Sequence, residues 1–196
     1  MNIYTFLILA VAVLFYIFYS RKRKEANRQA IREHNKIRNR ELKTQYENLR
    51  NSALATTAHQ MDADRSPDTE ILYSICLDFW ELGEIAFVAF WTGACSIYFG
   101  TGPFIDPDFR DERSYGAARQ IVNISEKFLP IASPTENTHL PGNDEISLFL
   151  LTNIRKYKVS VKVSDTKSKD LPWFELLTNV KTVVTSLQFT GRKKQV

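Results

Sequence analysis

Residues 70–99 read EILYSICLDFWELGEIAFVAFWTGACSIYF. Ile71, Tyr73, Ile75, Leu77 and Phe79 alternate with Leu72, Ser74, Cys76, Asp78 and Trp80. A period of two puts successive side chains on opposite faces, so the run predicts a β-strand. Glu81 to Glu84, with Gly83 inside, turn the chain. Ile85–Trp91 is apolar on both faces, as a strand covered on two sides requires. Thr92 and Gly93 make a two-residue turn between apolar runs, a hairpin signal, and Ala94–Phe99 returns as a third strand.

Downstream, Tyr115, Ala118, Ile121, Val122, Ser125, Phe128 and Leu129 recur at helical spacing. They predict a helix over 112–129, capped by Asp111 and stopped by Pro130. Residues 130–145 hold three prolines and one glycine and read as an irregular loop. Ile146–Thr152 and Tyr157–Val163 are two more strands, the second alternating Val with Lys158, Ser160 and Lys162. A final helix runs from Pro172 to Leu187 on an apolar stripe of Phe174, Leu177, Val180 and Val184. The order β-β-β-α-β-β-α predicts a single α+β domain over 70–190, followed by a basic tail at 191–196.

Upstream, Ile3–Tyr19 carries no charge, proline or glycine. Its length meets the lower end, about 17 residues, of what spans a bilayer core. It predicts a transmembrane anchor at 1–20. All nearby positive charge follows it, at Arg21, Lys22, Arg23 and Lys24. The positive-inside rule then places a single-pass protein in the inner (plasma) membrane, with its N-terminus outside and the head in the cytoplasm. The same four residues are expected to contact anionic lipid head groups.

Residues 21–60 read as a long basic helical stalk, and 61–69 as a linker broken by Pro67. From Arg21 to Arg50 the net charge is +7, from 11 basic and 4 acidic residues, whereas everything after Arg50 sums to −3, from 15 basic and 18 acidic residues. The basic balance belongs to the stalk, so nucleic acid is not expected as a partner of the head. Leu42, Tyr46, Leu49 and Ala53 form a short coiled-coil-like seam. A solvated single helix and a weak homodimer through this seam are the two readings.

The chemistry-bearing residues assemble no recognisable constellation. Gly100-Thr101-Gly102 lacks the third glycine and the following helix of a dinucleotide loop. Asp106, Asp108, Asp111 and Glu112 read as a solvated acidic loop that caps the next helix. His139 stands alone in its loop, and His59 ends the stalk. Cys76 and Cys95 lie in apolar strands and read as buried structural thiols. No catalytic, cofactor-binding or metal-ligating residue is assigned. Trp80 shares a strand face with Asp78, and the pair is the candidate patch for a protein partner.

The run Gly93–Gly102, with Ala117-Ala118, Pro134-Thr135, Leu140-Pro141, Ser147–Thr152 and Leu171-Pro172, resembles a group of small bacterial proteins to which no activity attaches. The resemblance covers 71–189. The segment after the hairpin is glycine-rich in that group, whereas here it reads PFIDPDF over 103–109. The element order is also similar to profilin-like modules such as roadblock and longin domains, which implies a fold that mostly binds proteins. The functional expectation is a membrane-anchored interaction module. Its alternatives are an immunity or regulatory protein that binds one effector, and an enzyme with a dispersed site using His139 or the acidic loop.

Overall fold

The computed structural model describes residues 29, 31–64, 69–80, 84–102, 105, 112–168 and 172–192. They fall into two units, Met1–Glu41 and Leu42–Val196. In the first unit residues 31–41 are helical and exposed, Ile31 and Ile37 included.

The second unit is built on an antiparallel sheet. Its strands are β1 (Leu72–Trp80), β2 (Glu84–Phe90), β3 (Cys95–Phe99), β4 (Ser133–Pro134), β5 (Glu145–Thr152) and β6 (Lys156–Lys162). Their order across the sheet is β3-β2-β1-β5-β6-β4. Helix α1 occupies residues 31–54, α2 Glu112–Ser125 and α3 Pro172–Arg192. β1, β2 and β5 are buried along most of their lengths, which explains their near-continuous apolar runs.

The alternation read in β1 sorts the residues into two layers. Ile75, Leu77 and Phe87 lie on one face with Leu148 and Leu150, under Ile121 of α2 and Leu176 of α3. Cys76, Val88, Phe149 and Leu151 lie on the other, under Tyr46, Ala53 and Leu54 of α1. The β2–β3 turn is closed by Gly93 N–H donating to Phe90 O at 2.9 Å. Gly93 has φ +100, and a Cβ there would meet Tyr115 Cδ1 at 2.5 Å, so glycine is required on both counts.

Three expectations are corrected. Among the described residues no helix is long and apolar enough to cross a membrane, which overturns the single-pass inner-membrane placement. The described helices carry charges or turn an amphipathic stripe to a core, and neither suits lipid. The run 1–20 and the cluster Arg21, Lys22, Arg23 and Lys24 lie outside the described residues. Nor is a long stalk seen among the described residues: α1 ends at Leu54, and from Tyr46 onward it buries Tyr46, Arg50, Ala53 and Leu54 within the second unit. The residues expected to form a dimer seam, Tyr46 and Ala53, face this chain's own sheet.

The sheet also has six strands instead of five. Ser133 and Pro134, read as loop, pair with Lys158 and Tyr157. Proline is tolerated there because the strand is at the edge. Likewise α2 ends at Ser125 and tightens to a 3-10 turn over Glu126–Ile131, which accommodates Pro130.

Candidate functional site: a buried ion pair beneath α1

Asp78 lies mid-strand, two residues from Cys76 and on the same face of β1. Its lateral neighbours in the sheet are small, Ala86 on β2 and Ser147 on β5. They leave room above the carboxylate for a large cationic group. That group comes from α1. Tyr46, Arg50, Ala53 and Leu54 are separated by 4, 3 and 1 residues, so they share a helix face. Ala53 and Leu54 pack on the sheet on one side and Tyr46 on the other, and Arg50 reaches down between them.

Arg50 Nε donates to Asp78 Oδ1 at 2.9 Å and to Oδ2 at 3.0 Å, and Nη2 donates to Oδ2. Nη1 donates to Thr138 O at 2.8 Å and to Asn51 Oδ1 at 3.3 Å. The side chains of Arg50 and Asp78 are 3% and 1% exposed. The guanidinium carbon lies 5.3 Å from the Phe149 ring centroid, and Lys158 Nζ lies 5.4 Å from the same centroid, both within cation–π range. The guanidinium is thus bonded to a carboxylate, a side-chain amide and a backbone carbonyl, which is the full engagement a buried cation requires.

Burial pushes the Asp78 carboxyl above its ordinary value, and the hydrogen bond and charge of Arg50 pull it back. For Arg50, burial acts to lower the value, and Asp78's hydrogen bond and charge together raise it. The two shifts point in opposite senses for the strength of the pair. The guanidinium stays charged at any relevant pH, so the pair loses charge only by protonation of Asp78. Cys76 Sγ lies 3.7 Å from Asp78 Oδ1. Burial first and the Asp78 charge second push its thiol well up. It is therefore a neutral thiol in the closed protein and a poor nucleophile. The Tyr46 hydroxyl is buried without a hydrogen-bond partner among the described residues. Burial, then Asp78, also raises its value.

The other sequence candidates fall elsewhere. Trp80 is half-buried at the end of β1, while Asp78 is enclosed, so the two do not form an exposed patch. His139 is exposed, and its backbone N–H is bonded to Asn137 Oδ1 at 2.9 Å. His59 Nδ1 pairs with Asp64 Oδ2 at 2.8 Å on the surface. Asp106, Asp108 and Asp111 lie outside the described residues. Gly100 N–H continues the β2–β3 ladder to Glu84 O at 2.8 Å, and Gly102 N–H turns back to Phe99 O at 3.4 Å. Among the described residues no group of three or more His, Cys, Asp and Glu is placed to hold a metal ion. Cys76 and Cys95 are both buried, one on each face of the sheet.

Arg50 is the residue of this candidate site that sequence reasoning missed. The signal was available in Asp78, a carboxylate inside a strand apolar on either side, which demands a cation. Comparison with protein-family models, with curated proteins and with solved structures returns no match.

Proposed function

We propose that the chain is a non-enzymatic protein-binding module in which the sheet face beneath α1 reads a helix. The observation that supports this is the buried Arg50–Asp78 pair at a helix–sheet contact. A buried pair of this kind adds little stability over an apolar pair of similar volume, and its best-attested use is to select register or partner. Here it selects a helix with an arginine between an aromatic residue and an Ala-Leu pair. The polar groups around it, Cys76 and the Thr138 carbonyl, bond inward to the pair, which suits recognition within a closed contact.

The test is crosslinking of the full chain in its source cells, followed by mapping of the crosslinked sites. The reading expects one protein captured in stoichiometric amount, with crosslinks on α1 and on the β1–β5 face. Stoichiometric capture mapping only to α2 and α3, or no capture, overturns it.

A further inference from the structure

The two faces of the sheet are covered unequally. On the first, α2 and α3 contribute Ile121, Val122, Leu176, Val180 and Val183, all nearly inaccessible. On the second, α1 contributes Tyr46, Ala53 and Leu54, with the arginine among them. Part of that cover is self-opposing. Arg50 and Asp78 give up hydration to meet, and the Tyr46 hydroxyl gives it up with no partner in return. All three groups recover water when α1 leaves, so their bonds resist departure far less than an apolar contact of the same size. A further ion pair on this stretch among the described residues, Lys43 to Glu84 at 3.2 Å, has its lysine half in solvent, where such pairs contribute little.

The chain just after α1 is held separately. Tyr73 Oη donates to Thr56 O at 2.7 Å, and Trp91 Nε1 donates to Met61 O at 3.0 Å. These bonds fix residues 56–61 to one end of the sheet. Ala55, the residue after the helix, lies between residues 42–54 and this fixed segment. A segment whose buried face is held in part by a desolvated ion pair and carries a hydroxyl with no partner among the described residues, next to a fixed segment, is the part of a fold that opens locally while the remainder stays closed.

We infer that residues 42–54 form a releasable cover, and that the face it vacates takes a second helix of the same chemistry, an arginine with an aromatic residue one turn before it and an Ala-Leu pair one turn after, as Tyr46, Ala53 and Leu54 stand to Arg50. The second clause rests on the binding-module reading above; the first does not. The vacated surface carries Cys76, Val88, Phe149 and Leu151 around the Asp78 carboxylate. An apolar face with a central carboxylate, and with Lys158 over the Phe149 ring beside it, disfavours an all-apolar helix by leaving the buried carboxylate without its hydrogen-bonding cation, and disfavours an acidic helix by repulsion from that carboxylate. The resident α1 is the template for what fits.

The two thiols make the test direct, because Cys76 lies under α1 and Cys95 lies in the opposite core. A water-soluble aromatic disulfide reagent labels each thiol only when it opens to solvent. In the native full chain, Cys76 is expected to react at least about tenfold faster than Cys95, as local opening requires, and with a shallower urea dependence. Equal rates with equal urea dependence would mean that the cover leaves only on global unfolding, and would overturn the inference while leaving the binding-module reading standing.

The second arm uses the full-length Arg50→Ala variant and a synthetic peptide of residues 42–58. A tethered segment acts at about millimolar effective concentration, so the peptide is supplied at about 1 mM. The peptide is expected to restore protection of Cys76, whereas the same peptide carrying Arg50→Ala is not. Fast Cys76 labelling in wild type with no protection by either peptide sinks the docking clause, and the binding-module reading with it, and leaves the releasable cover. Should the Arg50→Ala variant fail to fold, the peptide is applied to wild type, where slowing of Cys76 labelling is the supporting result and an unchanged rate the opposing one.

Discussion

Replacing Arg50 by alanine tests how the second face is held. The substitution leaves Asp78 buried without its cation, which typically costs about 3–5 kcal/mol. Against this stands the apolar part of the α1 contact. Leu54 contributes about 2 kcal/mol, Ala53 about 1, and the Tyr46 ring about 2, at the usual values per buried side chain. The unpartnered Tyr46 hydroxyl removes about 1–3 of these. The penalty is therefore as large as the whole apolar contribution. The protein relieves it by releasing α1, which returns Asp78 to water, and not by unfolding the sheet. Hydrogen exchange read by mass spectrometry should show amides of 42–54 losing protection while β1, β2, β5 and α2 keep theirs. In the double variant Arg50→Met, Asp78→Leu, an apolar contact replaces the pair, and protection of α1 should return to within about 1 kcal/mol of wild type or exceed it. The reasoning is refuted if Arg50→Ala leaves α1 protection unchanged, or if sheet and helix lose protection together.

Three further outcomes follow from the same geometry. Asp78 has a folded-state value raised by burial from an ordinary 3.8; a raised carboxyl binds more protons folded than unfolded, so its contribution is complete below that ordinary value and is lost as pH rises through the folded one. Urea titrations from pH 3 to pH 7 should accordingly show the stability of wild type relative to the Asp78→Asn variant falling as pH rises, and a rising difference would mean that Arg50 outweighs burial. Gly93→Ala combines a positive φ with a clash against Tyr115, and should lower the urea unfolding free energy by about 1–3 kcal/mol; a loss below about 0.5 kcal/mol would show that the turn relaxes freely. Ala86→Leu fills the space beside Asp78 and should cost about 1–3 kcal/mol by overpacking, with Cys76 labelled faster than in wild type; unchanged labelling would place the space for the guanidinium elsewhere.

The five longer strands were legible because β1, β2 and β6 alternate or run apolar in ways that only a sheet uses. The register of Asp78 with Ser147 was not, since pairing between strands this distant in sequence is set by tertiary contact. Helix α1 was read correctly as helical, but its role was hidden by composition. Lysine and arginine dominate residues 21–50, and one buried arginine among eleven basic residues leaves no local mark. Asp78 drew notice as an anomaly on its strand, yet the anomaly pointed inward to Arg50 and not outward to a surface patch with Trp80. Strand β4 escaped because two residues containing a proline carry no period. The profilin-like resemblance rested on element order after residue 70, which leaves α1 out of account.

The claim at the centre is that Arg50 and Asp78 act as one energetically coupled unit at the contact between α1 and the sheet. A double-mutant cycle on the full chain measures this most directly, with Arg50→Met, Asp78→Leu and the pair compared by urea unfolding. The account predicts a coupling of about 2–3 kcal/mol, the upper range for residues in one buried bonded network. A coupling below about 0.5 kcal/mol, the level of independent sites, would contradict it.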